Sequence, residues 1–306
     1  MMTDIRKTLG TGVLLALVAH GATAKSCAQD YDFVAPIGHA QGATNVATLK
    51  KGLGAAAKGD FEAFMAIAAD PYIQHSPDLP DGWKPVWDLT TNRSAEFSSK
   101  MIPWIGPNGF TDNGNYLVMF REVDHGDSSG AQKKFDLMYF DEDGLYAEHW
   151  DMAQQMSETT ASGRSETAAA PQFTDAPVAY DAATEEANRR VVATFLNLAF
   201  NAGQLELALD LYVSPDYVQH NPLIPDGAQP VLDAFAAGKI PALCYDIQHV
   251  LVQNDLVFVF SRVTSSAGVS AVVDLIRVRD GVMVEHWDVV QAVPDDADMP
   301  HDNGMF

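Results

Sequence analysis

Two phrases are each written twice in this sequence, and that duplication limits its folds more than any other feature. Residues 72–82 read YIQHSPDLPDG and residues 217–227 read YVQHNPLIPDG, sharing Tyr, Gln, His, both prolines, Asp and Gly. Downstream, EHWD occurs at 148–151 and again at 285–288, each followed after two variable residues by a glutamine, Gln154 or Gln291. A unit of roughly 110 residues is a domain, far longer than the roughly 20–50 residues of a solenoid repeat. The chain therefore reads as a tandem duplication whose copies are each large enough to bury a core.

Residues 1–24 carry Arg6 and Lys7, then an apolar run ending in Ala22-Thr23-Ala24. That is the pattern of a secretory signal peptide, and the run is short of the roughly 20 apolar residues that span a bilayer. A periplasmic or secreted protein, with no membrane contact after cleavage, is the expectation. The formal charge of −22, with no basic cluster beyond the first residues, repels phosphate backbones and excludes nucleic acid as a partner. Of the two cysteines, Cys27 and Cys244, an oxidising compartment permits a bridge, but two cysteines make no disulfide framework. Cys244, just before an apolar run, reads as a buried thiol.

After a leader at 25–43, the first copy spans 44–156. Val46, Leu49, Leu53 and Ala57 predict a helix over 44–58, and Phe61, Phe64, Met65 and Ala68 continue the helical period until Asp70-Pro71. A short strand, YIQH, follows, then a third helix over 86–100 and strands at 116–123, 133–140 and 145–152, with Asp143-Gly144 as a hairpin turn. The second copy, 184–294, predicts helices over 187–201, 205–212 and 229–237. Its strands fall at 245–253, 256–264, 270–279 and 282–293, the last two joined by Asp280-Gly281. Residues 157–183, rich in Ala, Ser, Thr and Pro without apolar period, read as a linker, and 295–306 as a frayed acidic tail. Helices followed by a run of antiparallel strands make each copy an α+β domain.

Strand alternation places His286 and Asp288 on one face and Glu285 and Trp287 on the other, and puts Asp274 between Val272 and Ile276. A carboxylate inside an apolar hairpin must be solvated, paired or protonated. The first copy repeats the set with Asp136, His149 and Asp151, and His75 or His220 stands on the short strand beside Gln74 or Gln219. Imidazoles and carboxylates converging in one pocket are the inventory of a general acid–base site. Each His could equally be a hydrogen-bonded core residue, and the QH-P-DG phrase a structural corner.

The motifs QHSP and QHNP, VDLIRVRDG and EHWDVVQ resemble the SnoaL-like branch of the nuclear transport factor two superfamily over both copies. The resemblance implies two tandem cone-shaped α+β barrels, each a curved antiparallel sheet wrapped on helices around a pocket, paired sheet to sheet as an intrachain pseudo-dimer. It also implies a lyase, isomerase or aldol-type cyclase acting without cofactor on a small apolar carbonyl compound. Asp288 or Asp274 would be the base, assisted by His286 and His220. Tyr217 would be an oxyanion donor, and Tyr72, Gln74, Gln219, Trp150 and Trp287 would contact ligand. A non-catalytic binding protein would need the same pocket. A metal site built on His220, His286 and Asp288 is the third reading, against which no tight pair such as H-x-x-x-H stands in either copy. The first copy departs further from the family pattern: Tyr139 stands where the second has Arg277, and Ser76 where it has Asn221. Both copies carry Phe, Phe120 and Phe260, where relatives carry His.

Overall fold

The computed structural model describes residues 40–92, 97–102, 110–112, 115–126, 130–173 and 178–306. The expected signal peptide and most of the leader, with Cys27, lie outside the described residues. The first unit runs α1 (Ala40–Ala56), α2 (Phe61–Met65), β1 (Ala68–Gln74), α3 (Trp83–Thr91), β2 (Ser98–Met101), β3 (Phe110–Asp112), β4 (Tyr116–Asp124), β5 (Ala131–Phe140) and β6 (Tyr146–Gln155). The second runs α4 (Ala182–Leu196), a π turn (Asn197–Asn201), α5 (Leu205–Tyr212), β7 (Val213–Gln219), α6 (Ala228–Ala236), β8 (Cys244–Gln253), β9 (Leu256–Ser265), β10 (Gly268–Arg279) and β11 (Val282–Ala292).

The two sheets have the same order, β1-β6-β5-β4-β2 and β7-β11-β10-β9-β8, with β3 an extra partner of β4. In each, the short strand of the QH phrase lies parallel to the EHWD strand, and the remaining neighbours are antiparallel. The β10–β11 hairpin turns on Asp280 and Gly281, both at positive φ (51° and 77°), the geometry that makes Asp-Gly a two-residue hairpin turn.

Helix α3 is shorter than the periodicity predicts, and a strand, β2, forms where its last turn was expected. Thr90 and Thr91 turn their hydroxyls back onto the Val86 and Trp87 carbonyls, and Ser98 to Met101 pair with β4 instead. Asp70-Pro71 lies inside β1 rather than ending a helix. Cys244 is disulfide-bonded, which corrects the buried-thiol expectation.

Both faces of both sheets are covered. Toward the helices, Phe64, Trp83, Met138 and Tyr146 form the interior of the first unit, and Phe195, Leu209, Val231 and Ile276 that of the second. The other faces meet in one apolar layer: Phe120, Phe135, Leu137, Trp150 and Met152 against Phe258, Phe260, Val273, Leu275, Trp287 and Val289. Strands β6 and β11 lie side by side across this layer and exchange glutamines. The Ala153 N–H donates to Gln291 Oε1 (2.7 Å) and the Val290 N–H to Gln154 Oε1 (3.0 Å). The glutamine closing each EHWD phrase thus satisfies the other strand's backbone.

The segments after each unit also exchange. Following the first unit, Ala161 N–H donates to the Pro222 carbonyl (2.8 Å), Arg164 pairs with Asp226 (2.5 Å), and the Ser165 carbonyl accepts from His220 Nδ1 (2.8 Å). The Ala168 carbonyl then accepts from Trp287 Nε1 (3.0 Å), and the Ala170 N–H donates to Glu285 (2.6 Å). After the second unit, His301 bonds the Ser76 carbonyl (2.8 Å), Asn303 bonds Asp81 (2.7 Å), and the Gly304 carbonyl accepts from His75 Nδ1 (3.0 Å). Each arm therefore clasps the QH-P-DG loop of the opposite unit. The expectation of a frayed tail is wrong: Met305 is 2% exposed in the inter-sheet layer, and Phe306 stacks on Phe260 at 5.6 Å. Acidic, proline-bearing composition hid the few residues that anchor it.

Deleting 294–306 should destabilise the protein by roughly 3 kcal/mol, from one buried methionine and a handful of hydrogen bonds. Urea denaturation checks the magnitude. Hydrogen exchange should place the loss at the Gln74–Asp81 loop, not at Gln219–Asp226.

Candidate functional site

The π turn that ends the first helix of the second unit shapes the site. Inserting one residue into the helical register swings Asn201 onto the backbone of Tyr245, donating to its carbonyl and accepting from its N–H, both at 2.8 Å. Phe200 stacks on the Tyr245 ring at 4.9 Å. Tyr245 is thereby fixed over the sheet face that carries Asp274, His286 and Asp288.

That face bounds a cavity of about 360 Å³. Phe195, Leu209, Val231, Phe235, Val272 and Ile276 give it apolar walls, and Lys239 belongs to its lining. Tyr217, Gln219, Asn221, Tyr245, Asp274, His286 and Asp288 make its polar part. Asp274 and Asp288 are register partners on β10 and β11, so two carboxylates stand side by side on one face.

His286 ties the cluster together. Its Nδ1 lies 2.9 Å from Gln219 Oε1 and its Nε2 2.9 Å from Asp274 Oδ1. Gln219 Oε1 also accepts from the Asn221 N–H (2.9 Å), which fixes that atom as oxygen and makes His286 Nδ1 the donor. Nε2 and Asp274 then share a proton. Burial alone would lower the His286 pKa, but the hydrogen bond and charge of Asp274, with Asp288 beyond, raise it above the ordinary imidazole value. Asp274 is raised mainly by burial, partly offset by His286. Its Oδ2 forms no well-aligned hydrogen bond among the described residues, although the Tyr245 hydroxyl contacts the same carboxyl.

Asp288 is different. Burial pushes it up, but Lys133 of the first unit (Nζ to Oδ1, 3.2 Å), His286 and a hydrogen bond from Asn221 Nδ2 bring it below the usual carboxylate range. Tyr217 and Tyr245, buried among these carboxylates, are pushed well above their ordinary values and keep their protons.

The first unit has the same frame with different contents. His149 bonds Gln74 Oε1 (3.1 Å) and Asp136 (3.4 Å), as His286 does its partners. Here Arg121 grips Asp136 with two bonds (2.7 and 2.6 Å), and Lys134 pairs with Asp151 (2.5 Å). Despite burial, Arg121 holds Asp136 well below its normal range and Lys134 does the same for Asp151. By strand register, Arg121 and Lys134 stand where the second unit has Ser261 and Val272. Rings pack the space above: Trp83 lies 4.1 Å from Tyr72 and 5.4 Å from Tyr146, at positions that are Ala228 and Met283 in the second unit. Asp136, His149 and Asp151 bring ligand-type atoms within 4.8 Å of one another, but Arg121 and Lys134 supply the cations there.

The structure thus gathers Asp274, His286, Asp288, Tyr217 and Gln219 at one cavity, and Asp136, His149, Asp151, Tyr72 and Gln74 at its packed counterpart. It does not bring His220, His75, Trp287 or Trp150 to either. These four face the other sheet: His220 stacks on Trp287 (4.8 Å) and contacts Glu285 (2.9 Å), and His75 stacks on Trp150 (4.4 Å) and contacts Glu148 (3.3 Å). The Nδ1 atoms of the two histidines hold the exchanged arms. The metal set of His220, His286 and Asp288 is therefore split between two faces of the sheet. Arg277 is likewise an inter-sheet residue, bound to Glu285 (3.0 Å) and Asp255 (2.9 Å), so its replacement by Tyr139 says nothing about the first pocket. Phe120 and Phe260 belong to the same inter-sheet layer. Sequence reasoning missed Tyr245, Lys133, Arg121, Lys134 and Trp83. Parity along β5 signalled only that Lys134 shares a face with Asp136.

Residues 192–286 match the SnoaL-like domain family. They form a SnoaL-like domain. The match covers the second unit from α4 to the EHWD strand and does not extend to the first. No curated protein matches the chain. Among solved structures, an NTF2-like protein of unknown function from Mesorhizobium loti is 21% identical, covering 38% of this chain and 99% of its own, at a TM-score of 0.31. A candidate SnoaL-like polyketide cyclase from Jannaschia sp. CCS1 is 20% identical, over 35% and 86%, at 0.30. A candidate polyketide cyclase from Acidithiobacillus ferrooxidans is 15% identical, over 34% and 87%, at 0.30.

An NMR titration of the imidazole rings should find His286 titrating above the ordinary value of about 6.5. Asp274→Asn should move it down, because burial then acts without its counter-charge. Since the native value is raised, the contribution of His286 to stability is full below the unfolded pKa and lost as pH rises through the folded one.

Proposed function

We propose that the SnoaL-like domain is a cofactor-independent acid–base catalyst acting on a small apolar carbonyl compound, with Asp274 as the proton-transferring group. The observation that carries this is one carboxyl: buried, raised in pKa, joined to His286 through one oxygen, and with the other without a well-aligned bond at an apolar cavity. A carboxyl poised toward neutrality both takes and returns a proton.

In this reading the substrate's apolar body fills the cavity and its carbonyl lies toward Tyr217 and Tyr245. Asp274 removes a proton from the carbon next to the carbonyl. The electron pair of that C–H bond moves to the carbonyl oxygen, and the neutral phenols donate to the enolate that forms. Returning the proton at another carbon gives an isomerase. Addition of the carbanion to a second carbonyl of the same molecule gives an aldol-type cyclase. His286 holds Asp274 in place and shares its proton, so it is a positioning group. Asp288, already paired, serves as a fixed negative charge, so that of the two candidate bases Asp274 takes the role. The match to the SnoaL-like family over 192–286 supports this class of chemistry. We also read the two units as an internal dimer, supported by the shared apolar layer and exchanged arms, with the second as the working half.

Incubation with a panel of neutral cyclic ketones in D₂O tests the chemistry, proton NMR reporting exchange at the carbon beside the carbonyl. Asp274→Asn should lower exchange roughly 10²- to 10⁴-fold, whereas Asp136→Asn should leave it unchanged. Ketones that bind without exchanging would turn the reading to a ligand-binding protein.

A further inference from the structure

Lys133 belongs to neither active-site motif and sits on the wrong face of its own sheet to serve the first unit's His–Asp pair. It lies on β5 beside Phe135 and Leu137, in the inter-sheet layer, with its side chain wholly buried. From there it crosses to the second unit. Its Nζ lies 3.2 Å from Asp288 Oδ1 and 2.7 Å from Glu166 Oε2 of the arm, and the other Asp288 oxygen is taken by Asn221. The contact is not reciprocated. By strand register the counterpart of Lys133 is Ala271, since Lys133 pairs with Gln154 as Ala271 does with Gln291. Asp151 is held instead by Lys134 of its own sheet.

We infer that Lys133 of the first unit is a positioning residue of the second unit's pocket: by anchoring Asp288 it leaves Asp274 as the one carboxyl of the pair that exchanges its proton. This rests on the acid–base reading above. Two carboxylates that face each other across a strand pair cannot both ionise cheaply in a buried site, and their roles separate only when their surroundings differ. Among the described residues, the titratable and charged groups around Asp288 are Asp274, His286, Tyr217 and Tyr245 on the cavity face, Lys239 in the cavity lining, Lys133 from the opposite sheet, and Glu166 behind Lys133. Lys133, together with the Asn221 hydrogen bond, sets Asp288 apart from Asp274. The first unit, whose own site is neutralised by Arg121 and Lys134 and packed by Trp83, thus remains part of the working site of the second.

The test uses the full chain with ¹³C-carboxyl-labelled aspartate, the Asp288 resonance being assigned by Asp288→Asn. In Lys133→Met the Asp288 titration should rise by about 1 pH unit or more, the size of an opposite charge removed at this distance. Lys133→Arg should restore it, and Lys134→Met should move Asp151 while leaving Asp288 in place. In the exchange assay, the acid limb of the pH profile, set by Asp274, should shift in Lys133→Met, where Asp288 loses its anchor, and not in Lys134→Met. If Lys133→Met fails to fold with Glu166 unpaired, Lys133→Met with Glu166→Gln carries the same measurement. An Asp288 titration unchanged in either folded variant overturns the inference. Wild-type protein that exchanges no ketone overturns the catalytic reading, and the Asp288 titration still decides whether Lys133 governs the pair.

Discussion

The face-to-face packing of the two sheets is the constraint on which the rest depends. Because each sheet is covered on one side by helices and on the other by its twin, the EHWD stretch of β11 is buried or half-buried on both faces, and every polar side chain on it needs a partner. The EHWD phrase meets this by parity. Glu285 and Trp287 go to the inter-sheet side, where Glu285 is bound by Arg277, His220 and the Ala170 N–H. His286 and Asp288 go to the cavity side, where Gln219, Asp274, Asn221 and Lys133 receive them. One four-residue motif thus builds an interface with half its side chains and the polar cluster of the cavity with the other half.

The same frame has been filled in two opposite ways. In the first unit, cations on the cavity face hold both aspartates ionised, and bulky rings occupy the room a ligand would need. That set is balanced in charge and suits a structural core. In the second unit the cations are replaced by Ser261 and Val272 and the rings by Ala228 and Met283. The carboxylates are left to a histidine and to one lysine reaching across from the other half. Removing charge from the pocket is what lets Asp274 approach neutrality.

Much of this was legible in the sequence. The repeated phrases, the succession of helices and strands in the second unit and the shared face of His286 and Asp288 follow from local spacing, and local spacing survives folding. His220 and His75 were misplaced because they follow the last paired strand residue, where parity no longer fixes direction, and because their partners come from arms with no apolar period. Tyr245 escaped notice because a π turn breaks the regular helical register that would have linked Asn201 to it. Lys133 could not be read at all, since its partner lies 155 positions away on another sheet and depends on how the two sheets are laid together.

The central claim is that one pocket, in the second unit, takes an apolar carbonyl ligand while its twin is closed. Methyl NMR tests this most directly, with Ile, Leu and Val labelled in the full chain and 2-tetralone titrated in. The account predicts saturable shifts at Leu209, Val231, Val272 and Ile276, with Val46, Ile67 and Leu117 of the first unit unmoved. Equal shifts in both sets, or shifts confined to the first unit, would contradict it.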